Sequence, residues 1–215
     1  GGSKIARETF KLNNKYDVIG FSKYSNVKKI KEYELIKYKN VSSIKKYINK
    51  INNNKIVLVF TQAISNSNLI INKTSKELLN DINSNFLNFH EIVKYTLPYM
   101  LNQNWGRIIF FGSSGALKTD VGLAGYSAGK HSTLAYCKTL SKEYARYGVC
   151  SNYLSLGLFN TPLYLGLNKK IKNKLLNNTD TKAVGDYRSI FNAIDFLIKS
   201  NYVTGTIIPI DGGFN

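Results

Sequence analysis

Apolar and polar positions along this chain follow two periods, and the switches between them divide it into alternating strands and helices. Two short runs are apolar throughout, Ile56-Val57-Leu58-Val59-Phe60 and Ile108-Ile109-Phe110-Phe111, each bounded by glycine or polar residues. Runs of that length and composition are how strands buried on both faces read. Tyr16 to Phe21, Glu34 to Tyr38, Val149 to Ser155 and Thr206 to Ile210 read as further strands. Between them the apolar positions recur at helical spacing. Ile5, Ala6, Phe10 and Leu12 form one such stripe, and Ile44, Tyr47, Ile48 and Ile51 form another behind a capping Ser42. A long helix is predicted from Ser75 to about Asn102 through Leu78, Ile82, Phe86, Phe89, Val93, Leu97 and Met100, with Pro98 expected to kink or tighten its last turns. Another carries Tyr126 and Lys130, continues to Tyr147 and stops at Gly148, and a last one runs from Asp186 to Ser200. Strands alternating with helices predict an α/β domain with a mostly parallel sheet covered on both faces.

Composition narrows this picture. With 215 residues and 43% hydrophobic content, the chain suits one domain with a full-sized core and not a disordered one. No apolar run approaches membrane-spanning length and no signal peptide opens the chain. Cys137 and Cys150 lack metal-ligand spacing, so the expectation is a cytoplasmic protein with reduced thiols and no metal. The formal net charge is +17. Its lysines are scattered among Asn and Ile, as at 28–31 and 169–174, and no nucleic-acid motif accompanies them. The charge therefore argues for solvated helix faces, on a surface that would still favour a dinucleotide, a phosphorylated substrate or an acidic carrier.

The candidate chemistry lies after the second apolar run. Gly112-Ser113-Ser114-Gly115 is a polar turn at the carboxyl end of a strand, where open α/β sheets place ligands. Tyr126 and Lys130, four apart on a helix, share a face. A phenol titrates near 10 in isolation, and a neighbouring ammonium favours the phenolate, drawing that value towards the range of a general acid–base. A serine hydroxyl beside it can hold a carbonyl or hydroxyl oxygen.

The serine followed by Tyr-x-x-x-Lys, with Val203-Thr204-Gly205, an apolar strand and Asp211-Gly212-Gly213 at the end, resembles the short-chain dehydrogenase/reductase family. The likeness covers nearly the whole chain and is greatest to the 3-oxoacyl-carrier-protein reductase-like branch. It implies a doubly wound, Rossmann-type three-layer sandwich. It also implies an oxidoreductase that moves hydride between a nicotinamide and a carbonyl or secondary alcohol, the substrate being a small molecule, carrier-bound or phosphorylated. Tyr126 would be the proton donor and Ser113 would orient the substrate oxygen, with Ser114 the alternative if the turn is shifted by one. Lys130 would depress the phenol and hold the nicotinamide ribose. Asn85, in Asn83-Ser84-Asn85-Phe86, stands where the family carries an asparagine that supports the proton relay.

For the cofactor, Gly2, Ser3 and Ile5 resemble the start of the glycine-rich pyrophosphate turn. Ser22 and Lys23 stand where an NAD enzyme carries a carboxylate, so NADP is expected over NAD. Asn40 and Val41 fall beside the adenine, Thr61 and Ala63 in the loop backing the cofactor, and Gly157, Phe159 and Thr161 near the nicotinamide. The family's first strand has no counterpart, so residues 1–215 are expected to form one domain shortened at its N-terminus, assembling as a homodimer or homotetramer. A non-catalytic dinucleotide-binding or scaffolding homologue is the rival reading.

Overall fold

The computed structural model describes residues 4–22, 34–37, 42–50 and 55–214. In chain order the elements are α1 (Lys4–Phe10), β1 (Ile19–Ser22), β2 (Glu34–Lys37), α2 (Ser42–Lys50), β3 (Val57–Phe60) and, after a single 3₁₀ turn at Ile70–Asn72, α3 (Ser75–Ile82). A π-helical turn, Asn83–Leu87, joins α3 directly to α4 (Asn88–Asn102). Then follow β4 (Gly106–Phe111), α5 (Ser114–Lys118), α6 (Ala124–Tyr144), β5 (Val149–Leu156), α7 (Pro162–Leu165), α8 (Lys169–Asn177), α9 (Tyr187–Lys199) and β6 (Ile207–Ile210). All strand pairings are parallel. Among the described residues the strands form two sheets, β1–β2 and β3–β4–β5–β6.

The buried strands act as the hydrophobic runs predict. Every residue of β4 and β5 is buried. Ile108 and Phe110 of β4 join one core with Phe89, Val93 and Met100 of α4 and Cys137 and Leu140 of α6. Ile109 and Phe111 point the other way, into a second core with Ile190, Ile194 and Leu197 of α9 and Ile5 and Phe10 of α1. Successive side chains thus serve opposite faces, and the sheet is sandwiched between helical layers. Phe60 stacks on Phe89 and Phe110 at centroid distances of 4.8 and 5.1 Å, tying β3 to α4 and β4.

The long helix departs from expectation in one respect. A capping box opens it, Thr74 accepting from the Glu77 amide while the Glu77 carboxylate accepts from the Thr74 amide. Pro98 sits inside α4 without ending it. The irregularity lies upstream at Asn83–Leu87, where one turn is widened. Such turns re-aim side chains and recur at functional sites.

Candidate active site

Strand β4 delivers the chain to Gly112, whose amide donates to Leu154 O at 2.7 Å. A Cβ at Gly112 would lie 1.9 Å from Cε1 of Tyr153, so only glycine lets the backbone cross that ring. Ser113 then caps α5, its Oγ accepting from the Ala116 amide at 3.2 Å. The Ser113 hydroxyl also lies beside the phenol of Tyr126, in the first turn of α6, near enough to favour its ionised form. One turn further, Lys130 Nζ lies 5.8 Å from the centroid of the Tyr126 ring. Hydroxyl, phenol and amine therefore converge at the carboxyl end of β4.

Ser114 faces elsewhere. It is buried, donates to Asp211 Oδ2 at 2.6 Å and shares a 2.8 Å hydrogen bond with Ser155 Oγ. That engagement binds the turn to β5 and the C-terminal Asp211, and it leaves Ser113 as the serine facing the phenol.

The electrostatics differ from the simplest reading of the spacing. Lys130 is 1% exposed and its Nζ donates to Phe111 O, at the end of β4, at 2.7 Å and to Gln62 O, in the loop after β3, at 3.3 Å. Burial draws its pKa from 10.5 down to about 7. The Tyr126 phenol is raised by burial, with the Ser113 hydroxyl pulling the other way. The expected depression of the phenol by the ammonium is absent, because the amine is desolvated and turned towards carbonyls.

Asn85 lies within the π turn, fully buried. Its Oδ1 accepts from the Ile64 amide at 3.1 Å, and its Nδ2 donates to Ile64 O and Asp81 O, both at 2.8 Å. The side chain thereby anchors the loop after β3, the same loop whose Gln62 carbonyl receives Lys130.

Of the expected cofactor residues, Gly2, Ser3, Lys23, Asn40 and Val41 fall outside the described residues, and Ser22 is placed only as the last residue of β1. Ile5 packs from α1 onto the core beneath α9. Thr61 and Ala63 follow β3 directly. Gly157 extends the β5 ladder by donating to Ile210 O at 3.0 Å. The Phe159 side chain is 3% exposed and lies 6.0 Å from the Tyr187 ring, so it packs the core and leaves only its backbone for a ligand. Thr161 caps α7, accepting from the Tyr164 amide at 3.2 Å, which leaves its hydroxyl proton to donate.

Two residues were not foreseen as part of the site. The Tyr153 phenol donates to Lys130 O at 3.5 Å, beneath the turn that carries Ser113. Burial pushes its pKa well above the ordinary 10, keeping it protonated. A tyrosine in a fully buried strand must find partners for its hydroxyl, and that was the available signal. The Gln62 Nε2 is buried with no partner among the described residues, a donor suited to a polar group of a ligand.

Comparison with known proteins identifies the family. Residues 36–215 match the family model described as Enoyl-(Acyl carrier protein) reductase. The chain is 31% identical over 225 residues to the 3-oxoacyl-[acyl-carrier-protein] reductase FabG of Buchnera aphidicola subsp. Acyrthosiphon pisum, covering 99% of this chain and 91% of that one. It is 29% identical to the 3-oxoacyl-[acyl-carrier-protein] reductase of Bos taurus over 79% of this chain and 69% of that one. Among solved structures, the ligand-free aldohexose dehydrogenase of Thermoplasma acidophilum superposes with a TM-score of 0.85 at 22% identity, covering 98% of this chain and 89% of that one, a likeness of fold. The chain belongs to the short-chain dehydrogenase/reductase family, in its 3-oxoacyl-carrier-protein reductase-like branch, whose members are oxidoreductases acting on CH–OH and C=O groups with NAD(P).

Proposed function

We propose that this chain is an NADP(H)-dependent carbonyl reductase in which Tyr126 exchanges the proton, acting on a carrier-bound or otherwise anionic 3-oxoacyl-type substrate as a homodimer or homotetramer. The observation that carries the reading is the convergence of the Ser113 hydroxyl, the Tyr126 phenol and, on the next turn of the same helix, the Lys130 amine at the carboxyl end of β4. A nicotinamide dinucleotide supplies or accepts the hydride when bound. Ser113 holds the substrate oxygen against the phenol. As the carbonyl carbon gains hydride, its oxygen would take the Tyr126 proton, so C=O becomes CH–OH and Tyr126 is left as a phenolate that must regain a proton before the next turnover. A phenol raised by burial stays protonated at neutral pH, which suits the donor.

In its ammonium form Lys130 has three donors and two carbonyl acceptors, which leaves one N–H to hold the nicotinamide ribose. Gln62 Nε2 and the Thr161 hydroxyl are the further donors able to meet the cofactor. Asn85 supports the proton relay by fixing the loop that carries Gln62. Ser22-Lys23 supports the choice of NADP, a hydroxyl and a cation suiting a 2′-phosphate. The net charge of +17 complements a phosphorylated or acidic carrier. The test is NADPH and NADH oxidation with acetoacetyl-coenzyme A, keto-sugars and quinones. Consumption of NADPH with the thioester is expected. No turnover with any of the three classes would overturn the reading.

A further inference from the structure

Lys73 and Asp81 form an ion pair with Nζ and Oδ2 2.8 Å apart, the two side chains being 4% and 0% exposed. The second carboxylate oxygen accepts from Asn66 Nδ2 at 2.8 Å, and Lys73 Nζ donates again to Asn66 O at 2.8 Å. Removing two charges from water is costly, so a pair sealed this completely calls for an account.

Its place suggests one. Asp81, in the last turn of α3, faces the first turn of α6: a Cβ at Gly125 would lie 2.4 Å from Asp81 Oδ2 and 2.7 Å from Asp81 Cβ. Gly125 immediately precedes Tyr126. One turn along, Asp81 O accepts from Asn85 Nδ2, and a Cβ at Gly129 would lie 2.7 Å from Asn85 Cβ. Another turn on, Thr133 Oγ1 donates to Asn85 O at 2.9 Å. Three successive turns of the catalytic helix thus rest on two residues, Asp81 and Asn85. The support nearest Tyr126 is the ionic one. A carboxylate there also meets the positive end of a 21-residue helix, and Lys73 offsets its charge so that no net charge is added beside the phenol.

From these contacts we infer that the Lys73–Asp81 pair, closed by Asn66, is a positioning device for Tyr126: it sets the height of the first turn of α6 and hence where the phenol stands relative to Ser113. The inference rests on the reading of Tyr126 as the proton donor. Neither Lys73 nor Asp81 touches substrate or cofactor; both act through the helix. A displacement of about 1 Å in a reacting group lowers turnover on the order of a hundredfold without a matching loss of binding, so the effect falls on kcat and not on KM.

The experiment uses the full chain with NADPH and acetoacetyl-coenzyme A, and tyrosine labelled with ¹³C at Cζ, the Tyr126 signal being assigned by its loss in Tyr126→Phe. Asp81→Asn and Lys73→Met should each lower kcat about tenfold or more, with both KM values within about twofold, and should move the Tyr126 signal while that of Tyr147, just beyond the far end of the helix, stays in place. The double variant Lys73→Met/Asp81→Leu should recover the melting temperature lost by the single variants but not kcat. Should the buried single variants fail to fold, Asn66→Ala, at an exposed residue, should give a smaller fall in kcat of the same kind. The Cζ signal needs no turnover, so it reads the device even with a substrate the enzyme reduces poorly. Folded variants with parental kcat and an unmoved Tyr126 signal would overturn the inference, however far their melting temperatures fall. Parental turnover in Tyr126→Phe would overturn the site reading instead.

Discussion

Replacing Lys130 by methionine separates what the residue does for the reaction from what it costs the fold. The amine is 1% exposed, and its pKa falls from 10.5 to about 7 on burial. At about 1.4 kcal/mol for each pH unit, burying the ammonium costs roughly 5 kcal/mol at any pH below 7. The sign follows from proton counts. Between pH 7 and 10.5 the unfolded chain carries the proton and the native chain does not, so stability contributed by this group rises with pH across that window and is least below it. Methionine matches the length and abolishes the titration. It also orphans the carbonyls of Phe111 and Gln62, at about 1–3 kcal/mol each. That second effect is independent of pH and shifts the whole curve. Lys130→Met should therefore be close to the parent in stability at pH 6, and fall behind it by roughly 1.4 kcal/mol for each pH unit between 7.5 and 9.5. Urea unfolding at half-unit pH intervals measures this directly. Parallel stability curves over that range would show that Lys130 keeps an ordinary pKa in the fold, and the burial argument would fail. Turnover in Lys130→Met should be lost at every pH.

Three further outcomes follow from the site. Tyr126→Phe should cut turnover by orders of magnitude with NADPH affinity almost unchanged, read by steady-state kinetics and fluorescence titration; near-normal activity would remove Tyr126 from the mechanism. Ser113→Ala should lower kcat and cost the melting temperature only the loss of the short α5 cap, whereas Ser114→Ala, which takes a hydrogen bond from the half-buried Asp211 carboxylate and from the buried Ser155 hydroxyl, should mainly lower the melting temperature; the reverse pattern would exchange their roles. Lys23→Ala should weaken NADPH about tenfold or more and barely affect NADH, a charge-assisted contact being worth roughly 1.5–3 kcal/mol; equal losses would count against NADP.

The parts of the fold that were legible are those where one physical demand dominates. Ile108 to Phe111 must be a strand buried on both faces, since the run is apolar at every position, and alternate residues do enter the two cores. The helix bearing Tyr126 ends at Tyr144, short of the expected Tyr147, and passes into a 3₁₀ turn, Ala145–Tyr147, that Gly148 closes with φ at 78°. The widened turn at Asn83–Leu87 was not legible. The apolar stripe from Leu78 to Met100 continues through it, and Pro98, the visible irregularity, lies elsewhere. A π turn inserts one residue into a helical turn without changing its composition, so periodicity alone does not reveal it.

The site shows a related limit. A spacing of four places Tyr126 and Lys130 on one side of a helix, and it correctly brings the amine within 5.8 Å of the ring. Spacing fixes the angle around the helix axis but carries no information about depth. Depth decides the charge. Lys130 is sealed and directed at Phe111 O and Gln62 O, so burial draws its pKa to about 7 and part of the population is neutral at neutral pH. A neutral amine exerts little pull on a phenol that burial has already raised. On the proposed mechanism, the coupling between the two residues then strengthens as a dinucleotide's oxygens complete the amine's hydrogen bonds and favour the ammonium. Spacing thus placed the phenol and the amine on one side of the helix, but the depth that sets the amine's charge was not legible in it.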